Sequence, residues 1–178
     1  NTKKIKRKKS SIIIGSVARF APEKNLIYMM RLFKNILQEQ KNVELFIIGE
    51  GYLKEKLQRY IYKHNLNNFV SLNSPKKNIY DYMKYFDCFL LTSKLEGTPN
   101  VLLESQSVGT PVFTTNVGGA SETIVKNYSG FLLFGNNINN DTHIILKYFK
   151  KKNFFKKRNI IIIKSKLSRF KPKNTLNE

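Results

Sequence analysis

Cys88-Phe89-Leu90-Leu91-Thr92-Ser93-Lys94-Leu95-Glu96-Gly97-Thr98-Pro99-Asn100-Val101-Leu102-Leu103-Glu104 decides the fold of this chain. Four consecutive apolar residues are what a parallel strand shows when both faces of its sheet are covered, and Gly97 and Pro99 then punctuate a turn. Thr98 is placed to cap a helix that Pro99 opens. In that arrangement the amides from Gly97 to Asn100 sit at a helix N-terminus, where unpaired N–H groups and the helix dipole favour an anion. Glu104 falls about one and a half turns into the helix. Glu96 in the loop and Glu104 on the helix therefore offer hydroxyl acceptors on either side of a phosphate cradle.

Working outward, short apolar or β-branched runs recur at Ser11 to Val17, Val43 to Ile48, Phe69 to Leu72, Pro111 to Thr114 and Gly130 to Leu133. Between them Leu26, Met29, Met30, Phe33 and Leu37 fall on one helical face, as do Leu53, Leu57, Tyr60 and Ile61, and then Ile79, Tyr82, Met83 and Phe86. Strand alternating with helix at this pace predicts an α/β fold, a Rossmann-like parallel sheet of about six strands with helices on both faces. Ligands of such sheets bind at the carboxyl ends of the strands. Past the sixth run, Asn136 to Asp141 reads as a loop, with helices expected near 143–152 and 159–169.

The 178 residues suit one sizeable core, and the net charge of +20 is unevenly spread. Residues 1–10 hold six Lys/Arg, and residues 147–178 hold twelve against the single acid Glu178. The span between them, with fourteen basic and eleven acidic residues, implies no basic patch across the fold. The expected division is a basic segment at 1–10, a ligand-binding domain at 11–135 and a basic helical segment at 136–178. Basic ends of this kind are solvated, or attract anionic lipid or nucleic acid, and Phe154, Phe155 and Ile160 to Ile163 add weight to a membrane surface. No apolar run approaches the roughly 20 residues of a membrane span, and no signal-peptide pattern opens the sequence, so a cytoplasmic protein is expected, peripheral at most to the inner face of the membrane. Cys88 stands alone in an apolar run, and His64 and His143 have no partner at ligand spacing; no metal site is expected.

Arg19 and Lys24, between the first strand and a helix starting near Asn25, suit a diphosphate: a guanidinium binds two phosphate oxygens as a fork and an ammonium adds a mobile point charge. The same pair also reads as ordinary solvated cations. Gly118-Gly119 admits either a close approach to ligand or a turn, and Gly49-Glu50-Gly51 reads as a structural turn. Neither G-x-G-x-x-G nor the phosphate loop ending in Gly-Lys-Ser/Thr is present.

Taken in order, Ser16-Val17-Ala18-Arg19-Phe20 to Lys24-Asn25, Ile48-Gly49-Glu50-Gly51, Phe86-Asp87, Ser93 to Glu104, and Gly109-Thr110-Pro111-Val112 to Gly118-Gly119-Ala120-Ser121-Glu122 resemble the C-terminal domain of retaining GT-B glycosyltransferases of family four. The resemblance runs from about Ile12 to Leu133. It implies a nucleoside diphosphate sugar as donor substrate, bound in this domain, and an acceptor sugar or lipid-linked glycan held by a separate N-terminal domain. Bacterial surface polysaccharide assembly is the expected setting. By position Arg19 and Lys24 look like the pair that neutralises the diphosphate, Glu96 like the glutamate facing the transferred sugar, and Glu104 like the glutamate that binds the ribose hydroxyls. Gly97, Thr98, Pro99 and Asn100 would contact sugar and distal phosphate, and Leu72, within Val70 to Asn73, falls where such enzymes hold the base through main-chain groups. The resemblance implies no cofactor and no metal.

The sequence departs from the family pattern at Ala18, where glycine is frequent, at Ser74, where glycine is common, and at Ser105 and Gln106, where small or apolar residues are usual. No acceptor domain precedes the first strand, so the chain is expected to be incomplete for transfer, and Ser168-Arg169-Phe170 resembles the region where the last helix crosses back to that domain. A glycoside hydrolase pairing of Glu96 with Glu104 is set aside because Glu104 lies deeper on its helix. A sugar-nucleotide epimerase or phosphorylase would need histidine or lysine motifs that His64 and His143 do not supply. The alternative from another class is a non-catalytic Rossmann-like module whose basic termini hold nucleic acid or anionic membrane; nucleic acid is not the expected partner.

Overall fold

In the computed structural model, residues 11–75, 78–151 and 160–170 are described. The six strands are β1 Ile12–Val17, β2 Val43–Ile48, β3 Val70–Asn73, β4 Cys88–Leu91, β5 Val112–Thr115 and β6 Gly130–Leu133. They form one sheet in the order β3-β2-β1-β4-β5-β6, parallel throughout. The helices are α1 Leu26–Glu39, α2 Lys54–Lys63, α3 Ile79–Tyr85, α4 Asn100–Ser107, α5 Ile138–Phe149 and α6 Ile160–Lys166, with short 3-10 segments at Pro22–Lys24, Gly118–Thr123 and Ser168–Phe170.

Strand alternation divides the core in two. Ile14, Leu45, Leu90 and Phe113 pack with Phe33 of α1, Leu57 of α2 and Phe149 of α5 on one face. On the other, Ile13, Phe89, Leu91 and Val112 meet Met83 of α3 and Leu102 of α4. The interior strands β4 and β5 are buried at every residue, which is why β4 reads as an unbroken apolar run and β5 as a β-branched and aromatic one. Strand order reverses between β1 and β4, so the loops that leave those two strands diverge to opposite faces and open a crevice above them.

Two expectations for the C-terminal third change. Asn136 to Asp141 is no loop: α5 begins at Ile138, and the Asn137 side chain caps it by accepting from the Asn140 amide at 3.0 Å. Asp141, fully buried, accepts from the amides of Phe134 (2.7 Å) and Gly135 (2.9 Å) and from the Tyr28 hydroxyl (2.7 Å), tying α5 to α1. Burial, and then that bond to Asp141, raises the Tyr28 phenol well above its ordinary range. Because Ile145, Leu146 and Phe149 belong to the same core as β1 and β2, the boundary drawn at 135/136 separates two neighbours within one core. Ile163 of α6 and Leu167 just beyond it pack against Val125 and Leu103, while Ile161 is exposed. Phe154, Phe155 and both strongly basic stretches at 1–10 and 152–158 lie outside the described residues. Among the described residues no helix is long and apolar enough to cross a membrane.

Candidate functional site

The crevice at the strand reversal holds a cavity of about 580 Å³. Its walls include Arg19, Lys24, Glu96, Thr98, Pro99, Asn100 and Glu104, drawn from the β1–α1 and β4–α4 loops and the first two turns of α4. An apolar end is formed by Val17, Ile48, Pro75, Ile79 and Val101. Leu72 and Gly97 do not line this cavity: Leu72 is half-buried against the core, whereas Pro75 and Ile79 line the apolar end. Sequence reading passed over those two because apolar residues at a strand end and a helix start carry no chemical signature of their own.

Backbone and hydroxyl contacts stitch the two loops together. The Lys94 amide donates to Glu23 O (2.7 Å), and the Thr92 hydroxyl lies 3.3 Å from the carbonyls of both Lys24 and Asn25. Thr115 Oγ1 donates to Ser93 O at 2.6 Å from the neighbouring strand. These contacts set Lys24 against Glu96, with Nζ 2.7 Å from Oε1 and side-chain exposures of 21% and 10%. Ser93 Oγ donates to the same Oε1 at 2.6 Å, so both contacts of Glu96 fall on one oxygen. Ser93 is a positioning residue that sequence reasoning did not single out; its spacing three before Glu96 on a turn was the available signal.

Arg19 is bound differently. Its guanidinium reaches Glu23 of its own loop in an exposed, solvent-screened pair, so the side chain can turn toward an incoming anion. The guanidinium also holds the Glu23 carboxyl below its ordinary range, after a larger effect from the backbone. The Glu104 carboxylate has no hydrogen-bond or ion-pair partner among the described residues, and burial raises its pKa above the ordinary value. A partly desolvated, unpaired carboxylate is a strong acceptor for ligand hydroxyls.

Helix α4 starts one residue later than its sequence suggests. Pro99 takes the N-cap position with extended backbone (φ −75°, ψ 92°) and no side chain caps the helix, so Thr98 is exposed and makes no cap bond. The amides of Asn100 and Val101, in the first turn, have no helical carbonyl to reach, and both residues line the cavity. Behind the loop, Gly118 has φ +50°, and a Cβ there would lie 1.7 Å from Glu96 O. The neighbouring Gly119 amide donates to Gly97 O at 2.8 Å. The glycine pair thus allows close approach to the β4–α4 loop. Gly49, at φ +156°, plays the same part for the Arg19 loop, since a Cβ would meet Ala18 O at 1.9 Å. Gln106, unusual for the family, is fully satisfied: its amide donates to Leu102 O and Thr123 O, and its oxygen accepts from Val125 N and Ser129 Oγ. Among the described residues no cluster of His, Cys, Asp or Glu is placed to hold a metal ion.

The family described as "Glycosyl transferases group 1" matches residues 1–168. The chain belongs to that family. Within the group 1 glycosyltransferases it is 36% identical over 108 residues to an uncharacterised glycosyltransferase of Methanocaldococcus jannaschii, covering 61% of this chain and 27% of the relative. It is 29% identical over 143 residues to the UDP-Gal:alpha-D-GlcNAc-diphosphoundecaprenol alpha-1,3-galactosyltransferase of Escherichia coli, covering 79% of this chain and 37% of the relative. The chain spans 21–37% of the length of such curated relatives. In three dimensions it matches the crystal structure of TarM with a TM-score of 0.81 at 22% identity, over 93% of this chain and 33% of that one. It also matches the C-terminal domain of the group 1 glycosyltransferase LpcC from Francisella tularensis, with a TM-score of 0.73 at 17% identity, over 88% of this chain and 83% of that one. The fold is thus that of a GT-B glycosyltransferase domain.

Proposed function

We propose that this domain binds the nucleoside diphosphate sugar donor of a retaining glycosyltransferase, the acceptor sugar or lipid-linked glycan being held by a further N-terminal domain, in the assembly of a surface polysaccharide. The observation that carries the reading is the convergence in one crevice of Arg19, Lys24, the open amides of α4, Glu96 and the unpaired Glu104.

The chemistry follows from those groups. The diphosphate lies against Arg19, Lys24 and the first-turn amides, which stabilise the charge that develops as the anomeric carbon–oxygen bond to phosphate breaks. The new glycosidic bond forms on the same face of the sugar, and the acceptor's hydroxyl proton passes to the departing diphosphate. Glu96, fixed by Lys24 and Ser93, keeps its second oxygen for the hydroxyls of the transferred hexose. Glu104 accepts from the ribose, and the apolar end at Pro75 and Ile79 receives the base. Similarity to an Escherichia coli galactosyltransferase and to a Staphylococcus aureus capsular polysaccharide biosynthesis glycosyltransferase supports this setting.

Calorimetric titration of UDP- and GDP-sugars into the chain, with Arg19→Ala and Glu104→Ala beside it, tests the proposal. Each substitution is expected to weaken binding about ten- to hundredfold, the worth of a hydrogen bond to a charged group. Unchanged affinity in both variants overturns the site.

A further inference from the structure

A second concavity lies outside the crevice. It runs along the outer side of α1 between the C-terminal half of α2 and the loop that leads into α5, with a volume of about 810 Å³. From Ile27 to Gln38 its floor extends about 16 Å at 1.5 Å per helical residue, long enough for a chain rather than a single ion. Arg31, Lys34 and Lys94 line it together with His64, and no Asp or Glu lines it. Neither Arg31 nor Lys94 is held in an ion pair among the described residues, and Lys34 contacts only the His64 ring, Nζ to Nδ1 at 3.4 Å. Within a span of near-even charge, the groove thus gathers three cations without a carboxylate.

The lining says what kind of polyanion fits. Asn25, Asn35, Gln38, Asn136 and Asn139 add side-chain amides that both donate and accept, which suits a hydroxyl-bearing chain. Nucleic acid is served by exposed aromatic platforms, whereas Tyr28 is buried with its hydroxyl bonded to Asp141, and Tyr60 is half-buried with its ring against His64 at 4.2 Å. A membrane surface calls for protruding apolar side chains, and the exposed Leu95, Phe134 and Ile161 are not part of this lining. Lys94 at the groove's end belongs to the same loop as Glu96 of the crevice.

We infer that the groove between α1, α2 and the β6–α5 loop binds an anionic glycan chain, one bearing carboxylate or phosphodiester groups, through Arg31, Lys34 and Lys94. The inference rests on the glycosyltransferase reading for naming the polyanion a glycan; the binding itself does not depend on the donor site.

The test uses the full chain, hexagalacturonate as probe and neutral maltohexaose as control, with UDP titrated into the same preparations. Arg31→Glu/Lys34→Glu is expected to weaken hexagalacturonate at least about tenfold while UDP affinity is unchanged. Lys54→Glu/Lys56→Glu, an equal change of charge on exposed positions of α2 that do not line the groove, is expected to leave both ligands alone. Binding of the probe is also expected to shift the His64 ring resonances, identified against His143→Gln. Equal losses in the two double variants, equal binding of maltohexaose, or tighter groove-dependent binding of oligo-dT or of phosphatidylglycerol vesicles would each overturn the inference. Failure of UDP to bind, with groove-dependent hexagalacturonate binding intact, would refute the donor site and leave the groove standing.

Discussion

Lys94 and Glu96 are neighbours but one on a single loop, yet the first lines a groove without carboxylates and the second a crevice with three of them, Glu50, Glu96 and Glu104. The contrast separates two ways of handling negative charge. In the crevice Lys24 is held against Glu96, while Arg19 meets Glu23 in an exposed pair, so on the proposed reading a diphosphate displaces one partly buried contact and gains its place by matching geometry. In the groove the cations stand without carboxylates, and attraction is less particular. Preorganised pairing suits chemistry on one bond, whereas open charge suits holding a polymer in many registers.

The largest effect that tests this contrast is in the wall of the groove. Asp141→Ala removes the acceptor for two amides and a buried hydroxyl, and is expected to cost about 3 kcal/mol in urea unfolding. Since Tyr28 and Gly135 line the groove, hexagalacturonate affinity should fall while UDP affinity in the folded fraction is kept; equal damage to both would erase the distinction. Gly118→Ala comes next, at about 1–3 kcal/mol, because the new Cβ collides with the Glu96 carbonyl and a positive φ becomes strained. Here donor binding should suffer and the groove should not.

Glu104→Gln sharpens the comparison through pH. The raised carboxyl value means that the folded chain holds this proton more tightly than the unfolded chain, so ionisation costs stability as pH rises through the window above the ordinary value of about 4.3. The variant should melt slightly higher at pH 7, match the parent below about pH 4, and bind donor about tenfold more weakly. The smallest effect is ionic strength: raising salt from 0.05 to about 0.2 M should weaken the groove's ligand more than the crevice's, as exposed charges are screened first.

Much of the fold was legible because buried strands announce themselves. Val43 to Ile48, Cys88 to Leu91 and Gly130 to Leu133 have the ends their sequence suggests, while β3 and β5 sit one residue later, where polar Asn73 and Thr115 still pair with Ile48 and Leu133. The start of α5 was hidden because an Asn-rich stretch with a buried Asp looks like a loop until Asn137 is seen as a cap and Asp141 as a knot. In the crevice, charged residues at strand ends pointed to one place, but the Lys24–Glu96 pair joins positions 72 residues apart and needs the strand order to appear. The groove left no mark for a further reason. Polar residues on the outer face of an amphipathic helix read as solvated, and only the packing of α2 and the β6–α5 loop around them encloses a site.

The Gly118 turn bears on how this domain tolerates change in its length. Loops leaving a parallel sheet ordinarily absorb insertions, since each answers to its own strand. Here the β5 loop lies flush against the backbone of Glu96 and Gly97, so an added residue between Val117 and Ala120 would displace a loop that precedes it by some twenty positions. Libraries that vary loop length should therefore find the β5 turn intolerant of insertion, because its backbone is packed against that of Glu96 and Gly97.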